Sequence, residues 1–243
     1  MDEGLKDYKL QQKSIKNFFP RFPNRPNFEG KSILEFGCGR GAFAFNLLKE
    51  NPKSIIGIDT NDEYIKFAKK SLKSNFSQHI NKIDFISEDI NNWKTDLKFD
   101  FVITKEAFEH TNNLNVVLDS MYNLLNKNGS VYAGFGPLYN FFNGDHGFSK
   151  TWPWLHLVVP QKFLINRINK DRDEKISSIN ELGLNMYSLK KYKEIFYDSR
   201  FQVEFFKTNC TSNKLALPFK VLSKIKFLEE FFTFNIFTIL KKN

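Results

Sequence analysis

The sequence has 243 residues, 41% of them hydrophobic and 28 of them Phe, which is enough to bury the core of one α/β domain. Cys38 and Cys210 are the only cysteines, so the chain has no disulfide framework and no structural zinc site built on cysteines. The net charge of +9 is spread along the chain, which is typical of a solvated surface rather than a nucleic-acid-binding patch.

We expect no targeting segment in this sequence. The opening residues, MDEGLKDYKLQQKSIKNF, are charged and lack the apolar region of a signal peptide. No stretch reaches the roughly 18 uncharged apolar residues of a membrane span. We therefore expect a soluble, cytoplasmic protein. The Lys- and Phe-rich stretch 219–243 leaves weak contact with a membrane surface open, although its apolar residues also fit helix and sheet core.

Short apolar runs alternate with helical periods from residue 31 onwards. Ser32–Phe36 predicts a buried strand that ends in a glycine turn, and a helix is predicted over 41–50. Asn61 and Asp62 carry N-cap chemistry for a second helix. A third begins near Leu114 and is closed by Lys127-Asn128-Gly129. Further strands are predicted over 54–58, 83–86, 99–104 and 130–135.

This alternation predicts a parallel, doubly wound α/β sheet with its ligand crevice at the carboxyl ends of the strands. Residues 136–183 interrupt the alternation of strands and helices and contain two Trp and three Pro. We expect a lid or substrate pocket there. Beyond it we predict a helix over 188–199, a strand over 201–207, an amphipathic stretch over 219–232 and a strand over 234–240. The two late strands suggest an antiparallel edge.

The ends of the first three strands carry residues suited to a nucleotide-like cofactor. Gly37 and Gly39 let the backbone turn sharply and approach a ligand, and Asp59 follows about twenty residues later, where it can bind ribose hydroxyls. Asp89 and Ile90 offer an acid and an apolar contact to an adenine. A nicotinamide enzyme shares the first two features, but it is disfavoured by Glu35, by the acidic third-strand end and by the lack of a Tyr-x-x-x-Lys pair placed for hydride transfer.

Five segments carry a family resemblance: ILEFGCGRG, IIGIDTN, FISEDI, FDFVITKEAFEH and LLNKNGSVYAGFGP. Over residues 31–137 they resemble the successive motifs of class I S-adenosylmethionine-dependent methyltransferases of the small-molecule type. The resemblance implies S-adenosylmethionine as cofactor and S-adenosylhomocysteine as product. It also implies a Rossmann-like sheet of seven strands, with an antiparallel seventh strand beside the fifth. The cofactor residues implied are Glu35, Gly37, Gly39, Arg40, Asp59, Thr60, Asp89, Ile90 and Lys105.

The resemblance suggests a single methyltransferase domain over residues 1–243. Its expected parts are an N-terminal helical cap over 1–30, a cofactor-binding core over 31–136, a substrate lid inserted after the fifth strand over 137–186, and C-terminal helices and edge strands over 187–243.

The end of the fourth strand bears on the acceptor. It reads Thr104-Lys105-Glu106-Ala107, not the [Asn/Asp]-Pro-Pro-aromatic turn with which amino-methyltransferases of DNA bases hold a flipped base. Neither cysteine lies in this region to act as the nucleophile that cytosine C5 methylation needs. We therefore predict a small-molecule acceptor and not a nucleic acid.

Three of the four histidines fall in loops predicted to face the crevice. Methyl transfer needs the acceptor to be aligned and its proton to be removed, and histidine suits the second task. We expect His146 or His156 to be the base. His110 is a further candidate that also fits a structural role at a helix start, and His156 also fits a hydrogen-bonded core position.

The insertion is loosely similar to bacterial glycan and natural-product O-methyltransferases, through Gly136-Pro137, Asp145-His146 and Pro153-Trp154-Leu155-His156. This implies methyl transfer to a hydroxyl of a sugar or anionic metabolite, and a nitrogen or sulfur acceptor stays open. The tryptophans fit packing against a sugar ring and fit lid core equally well. We predict no metal site, because the histidines and Asp145 form no tight ligand cluster in the sequence.

Overall fold

The computed structural model describes Tyr8 and residues 14–150, 152–211 and 213–243, which are organised around one seven-stranded sheet. The strands are β1 (Ser32–Phe36), β2 (Ser54–Asp59), β3 (Ile83–Ser87), β4 (Phe99–Lys105), β5 (Leu125–Phe135), β6 (Gln202–Thr208) and β7 (Ile236–Lys241). Their order is β3-β2-β1-β4-β5-β7-β6. The first five pair in parallel, and β7 is antiparallel to both β5 and β6. The predicted sheet, with its antiparallel strand beside the fifth, is confirmed.

Helices cover both faces of this sheet. They are α1 (Ala42–Leu47), α2 (Asp62–Asn75), α3 (Leu114–Leu124), α4 (Leu155–Val158), α5 (Gln161–Ile168), α6 (Leu189–Tyr197), α7 (Leu217–Leu222) and α8 (Glu229–Phe232). Consecutive strand residues point to opposite faces, so Ile33 enters one core with α1 and α2, and Leu34 enters the other with α3 and α6. The doubly wound arrangement follows from this alternation.

The start of α2 agrees with its predicted cap. The Asn61 side chain accepts hydrogen bonds from the backbone N–H groups of Glu63 and Tyr64, which have no partner inside the helix. Because Asp59 ends β2 just before this cap, the connection between strand and helix is short. The cap therefore fixes the direction in which the chain leaves the carboxyl end of β2.

The junction of α3 and β5 differs from the sequence prediction. The helix ends at Leu124, and β5 begins at once with Leu125 instead of at residue 130. Leu125 is buried and pairs with Phe99 across a register shift, so core packing draws this residue into the sheet. Gly129 does not cap the helix; a Cβ there would lie 2.9 Å from the Asn126 carbonyl oxygen, so glycine permits a close backbone approach.

The chain between β5 and α6 forms a compact insertion with a small core of its own. Leu164, Ile168, Ile176 and Ile179 are buried together, and α4 and α5 lie within this segment. Because it follows β5, the insertion begins at the carboxyl edge of the parallel strands. Its role as a lid, and the predicted domain divisions, stay predictions.

The expected N-terminal cap over residues 1–30 lies partly outside the described residues. Within 14–30 the structure contains a short 3₁₀ helix, Phe19–Arg21, with Pro20 in its first turn. Phe18, Phe19 and Phe28 are buried against the core that also holds α1. The described part of the cap is therefore anchored by aromatic packing more than by helical structure.

Candidate functional site

A pocket of about 580 Å³ lies at the carboxyl edge of β1 to β4. This size is in the range of small-molecule and cofactor sites. The sequence-predicted residues that line it are Glu35, Gly37, Gly39, Asp59, Thr60, Asp89, Ile90, Lys105 and His110. The fold therefore brings together residues that are separated by up to 75 positions in the chain.

The loop after β1 depends on glycine at two positions. Gly37 and Gly39 have φ angles of +69° and +51°, a region that residues with a side chain rarely adopt. A Cβ on Gly37 would lie 2.6 Å from the Cβ of Ala107 in the loop after β4. The two loops can approach each other only because this side chain is absent, and the floor of the pocket is left as bare backbone.

Asp59 links the ends of β1 and β2. Its Oδ2 accepts a hydrogen bond of 2.8 Å from the Gly39 N–H, and its Oδ1 accepts one of 2.9 Å from Asn61 N–H. A carboxylate oxygen has two lone pairs, so each oxygen retains acceptor capacity for a ligand hydroxyl. The residue is half-buried at the pocket wall. Asp59 thus holds the glycine loop and can still receive a diol.

The end of β3 supplies a polar and an apolar group side by side. The Asp89 Oδ1 accepts a hydrogen bond of 2.8 Å from the Asn91 N–H, which fixes the turn, and Ile90 is buried. Both residues line the pocket. An aromatic ring that lies on Ile90 would bring its edge near this turn.

Glu35 places an unpartnered carboxyl oxygen at the pocket. The side chain is buried, and its Oε2 has no hydrogen-bond partner. Burial raises the pKa of Glu35 well above its ordinary value, and a hydrogen bond from the Ala44 amide only partly offsets this. A buried polar atom without a partner is costly, so this oxygen is suited to receive a ligand group.

Lys105 and Arg40 differ in how they relate to the pocket. Lys105 ends β4, lines the pocket and forms a 2.5 Å ion pair with Glu106. Arg40 does not line the pocket; its guanidinium lies 4.1 Å from the ring centroid of Tyr64, which does line it. Arg40 therefore supports the pocket wall through Tyr64.

Only one of the three candidate histidines lines the pocket, and it is not one of the two that the sequence favoured as the base. His110 lines the pocket, whereas His146 does not but packs edge-to-face on His110, with ring centroids 5.1 Å apart. His156 is buried away from the pocket, and its Nε2 lies 2.7 Å from the Tyr139 carbonyl oxygen. His110 and His146 therefore remain candidates for the base, and we regard His156 as a hydrogen-bonded core residue.

The hydrogen bonds of both remaining histidines define their tautomers. The His110 Nδ1 lies 2.9 Å from the Gly183 carbonyl oxygen, which can only accept, so Nδ1 carries the proton and Nε2 keeps its lone pair. The His146 Nε2 lies 3.3 Å from the Pro137 carbonyl oxygen, so in His146 the proton is on Nε2. Burial and the neighbouring His110 lower the pKa of His146, which favours its neutral form.

Glu109 is a buried acid next to His110 that the sequence reasoning missed. It is buried beside His110, its Oε1 accepts a 3.0 Å hydrogen bond from the Gly136 N–H, and its Oε2 has no partner. Burial raises the pKa of Glu109 to about 8. No local pattern in the sequence marks this acid, because its burial depends on packing against the segment that contains Gly136.

The insertion holds the loop that carries His110. The Asn185 side-chain amide donates to the carbonyl oxygens of Phe108 and Thr111, at 2.7 and 3.0 Å, and its backbone N–H donates to the Glu109 carbonyl oxygen. Tyr192 in turn donates to the Asn185 Oδ1 at 2.9 Å. The position of His110 is thus set by residues more than 70 positions further along the chain.

The described residues contain neither a metal site nor a membrane span. Among Tyr8, 14–150, 152–211 and 213–243, no group of three or more His, Cys, Asp or Glu could hold a metal ion. No helix of that part of the chain is long and apolar enough to cross a bilayer.

Comparison with known proteins agrees with the fold and the pocket. Residues 27–134 match a family model described as a methyltransferase domain. Malonyl-[acyl-carrier protein] O-methyltransferase 1 of Ilyobacter polytropus is 31% identical over 107 residues, which are 43% of this chain and 38% of that protein. The ubiquinone biosynthesis O-methyltransferase of Pelagibacter ubique is 28% identical over 123 residues, or 51% of this chain and 49% of that protein. The chain thus spans less than half the length of either relative.

Solved structures share the fold over nearly the whole chain. A putative S-adenosylmethionine-dependent methyltransferase from Listeria monocytogenes has a TM-score of 0.59 at 14% identity and covers 98% of this chain and 99% of its own. Magnesium protoporphyrin IX methyltransferase from Synechocystis, solved with bound S-adenosylmethionine, has a TM-score of 0.57 at 11% identity. The match covers 100% of this chain and 85% of that one. At these identities the likeness concerns the fold alone.

Proposed function

We propose that the chain is a class I S-adenosylmethionine-dependent methyltransferase that transfers the cofactor's methyl group to an oxygen of a small-molecule acceptor. The methyltransferase match over residues 27–134 and the shared fold support this proposal. The observation that carries this proposal is the position of His110, whose Nε2 keeps a lone pair at a pocket with the features of a cofactor site. O-methyltransferases among the relatives support the choice of oxygen.

The pocket residues fit the cofactor group by group. The bare backbone at Gly37 and Gly39 would hold the methionine part, and the unpartnered Oε2 of Glu35 would receive its ammonium group. Asp59 would accept the ribose hydroxyls, with Thr60 beside it. When bound, the cofactor supplies a methyl group that is already activated by a positively charged sulfur.

The adenine end of the site would lie at β3 and β4. Ile90 would contact the face of the adenine and Asp89 its edge, while Lys105 borders the pocket at the end of β4. Arg40 would act indirectly, by holding Tyr64. These assignments leave the loop after β4, with His110, for the acceptor.

In the proposed reaction the acceptor's hydroxyl proton passes to the His110 Nε2. With the cofactor bound, the freed oxygen lone pair would form the bond to the methyl carbon, and the electrons of the broken carbon–sulfur bond would remain on the sulfur. The Gly183 carbonyl oxygen stabilises the charged ring through Nδ1–H. His146, whose pKa is lowered, stays neutral beside it and does not compete for the proton.

The tryptophans of the insertion do not support a sugar-stacking role. Neither Trp152 nor Trp154 lines the pocket. The Trp154 ring packs on Phe142 and Phe232, and its Nε1 donates to the Phe231 carbonyl oxygen at 3.1 Å. We therefore propose a hydroxyl acceptor without assigning it to a sugar.

Calorimetric titration with S-adenosylhomocysteine, and in parallel with NADH, tests the cofactor assignment. We expect micromolar binding of the former and none of the latter; binding of NADH alone would refute the proposal. Transfer of a labelled methyl group to a panel of phenols, alcohols, amines and thiols then tests the acceptor atom. Turnover confined to amines or thiols would contradict the oxygen assignment.

Replacing Asp59 with Ala is expected to weaken S-adenosylhomocysteine binding by about 100-fold. The variant loses the acceptor for the ribose hydroxyls, and each hydrogen bond to a charged group contributes on the order of 1.5–3 kcal/mol. It also releases the Gly39 N–H. Asp59→Asn, which keeps an acceptor for that amide, should lose only about tenfold. Equal affinity of wild type and Asp59→Ala would remove Asp59 from the site.

Replacing Glu35 with Gln is expected to remove a pH dependence from cofactor binding. The raised pKa means that the free protein holds Glu35 neutral until the pH rises past that pKa, whereas the ligand's ammonium group favours the ionised form. Wild-type affinity should therefore increase with pH, and binding should release a proton.

The Glu35→Gln variant should bind about tenfold more weakly at the alkaline end, with a flat profile. Calorimetry in buffers of different ionisation enthalpy measures the proton release. Glu63→Gln, an exposed carboxyl at the start of α2, is the matched control. A pH slope that survives in Glu35→Gln would show that another group binds the ammonium.

A further inference from the structure

The connection between β6 and β7, residues 209–235, lies at the same edge of the sheet as the pocket. Thr208 and Phe135 both pair with Ile236, so the connection begins and ends at the carboxyl end of β5. It also contacts the insertion, because the Phe142 and Phe219 rings stack at 5.6 Å. Any surface that this connection binds would therefore face the acceptor side of the site.

The connection exposes large apolar side chains. Leu215 is 82% exposed, Phe227 76%, Leu217 60% and Val221 55%. Single exposed apolar residues are common, but a short segment with this many large ones marks an interaction surface. Trp152, two positions from the Trp154 that packs on this connection, is 83% exposed as well.

Lysines lie among these apolar residues. A shallow cavity of about 560 Å³ is lined by Lys207, Lys220, Lys224 and Lys226. The acid that shares it, Glu229, already forms a 2.7 Å ion pair with Lys193. Glu230 accepts hydrogen bonds from Asn140 and from the Leu189 N–H. The four lysines outnumber these two acids, and Glu229 is already paired with Lys193, so the surface carries a net positive charge.

We propose that the β6–β7 connection docks on an anionic lipid surface and that the acceptor is an amphiphile held in that surface. Exposed Leu and Phe interleaved with Lys is the pattern of interfacial membrane binding. Protein interfaces are instead depleted in Lys and enriched in Arg, and residues 207–231 contain no Arg. The acceptor part of this inference rests on the proposed methyltransferase function; the docking part does not.

Flotation of the full chain with vesicles tests the proposal. Vesicles of phosphatidylcholine alone are compared with vesicles that also contain phosphatidylglycerol, and we expect binding to the latter only. The triple variant Lys207→Gln/Lys224→Gln/Lys226→Gln should bind about 100-fold more weakly, since each lysine near an anionic surface raises the affinity about fivefold and three such factors multiply. Phe227→Ser should lose about tenfold through its apolar contact.

The matched control removes the same charge from the opposite edge of the sheet. Lys31 and Lys53 precede β1 and β2, and Lys127 lies near the start of β5; all three are exposed. Lys31→Gln/Lys53→Gln/Lys127→Gln should bind vesicles like wild type. An equal loss in both triple variants would overturn the proposal, because binding would then depend on net charge alone.

Calorimetry with S-adenosylhomocysteine on the same samples separates the two proposals. Protein that binds S-adenosylhomocysteine but no vesicles would overturn the docking proposal and leave the methyltransferase proposal intact. Vesicle binding without S-adenosylhomocysteine binding would overturn the methyltransferase proposal and leave the docking proposal intact. Capture of an acidic carrier protein by the lysine surface, without vesicle binding, would also overturn membrane docking.

Discussion

Replacing His110 with Ala is expected to lower kcat by about 100- to 10,000-fold with a hydroxyl acceptor, because general-base catalysis contributes on this order. The imidazole is fixed by Gly183, and its Nε2 retains the lone pair that would accept the proton. KM for the acceptor and affinity for S-adenosylhomocysteine should change little, since the ring removes a proton and does not bind either molecule strongly. Initial rates of labelled methyl transfer measure the effect.

The pH profile distinguishes a base from a structural residue. A general base acts only in its unprotonated form, so we expect an acid limb in the wild-type kcat profile that is absent in His110→Ala. His79→Ala is the control, because His79 lies in the short helix before β3, at the opposite edge of the sheet. If His146→Ala removes the acid limb and His110→Ala does not, His146 is the base.

Replacing Glu109 with Gln is expected to stabilise the protein at alkaline pH. Its pKa rises from an ordinary 4.5 to about 8 on burial, so the folded state keeps the proton where the unfolded state has lost it. For a carboxyl with a raised pKa, stability is full below about pH 4.5 and decreases as pH rises towards 8. One pKa unit corresponds to about 1.4 kcal/mol, so the wild type should lose roughly 3–5 kcal/mol over this window.

The Gln variant keeps an acceptor oxygen for the Gly136 N–H but cannot ionise. Its free energy of unfolding should match that of wild type near pH 4.5 and exceed it by roughly 3–5 kcal/mol at pH 8. Urea titrations at several pH values measure this difference. Glu29→Gln, at an exposed carboxyl, should leave the wild-type pH slope unchanged. Parallel curves for wild type and Glu109→Gln would mean that Glu109 is ionised in the folded protein.

Local patterns in the sequence were sufficient to predict the strands of the central sheet. Ile33 and Leu34 are adjacent apolar residues that enter opposite cores, which is why the run reads as a strand covered on both faces. Asn61 acts on residues two and three positions away, so its capping role is visible without a structure. The ends of β1 to β4 then follow from the order of elements, and they gather the cofactor residues.

The acceptor side could not be predicted in the same way, because its contacts are distant in the chain. His110 and Gly183 are 73 positions apart, and Glu109 and Gly136 are 27 apart. Nothing local distinguishes His110 from His146 or His156, and only folding shows which of them reaches the pocket. The burial of Glu109 likewise results from packing between segments, which a single sequence does not display.

The hydrogen bonds of Asn185 belong to a different part of the chain from those that hold the predicted cofactor residues. They hold the loop that carries His110 from the insertion, while the hydrogen bonds of Asp59 and Asp89 stay within the first 91 residues. We therefore expect that substitutions in the insertion can change the position of the His110 loop while the hydrogen bonds of Asp59 and Asp89 stay intact. Mutational libraries aimed at acceptor choice belong there.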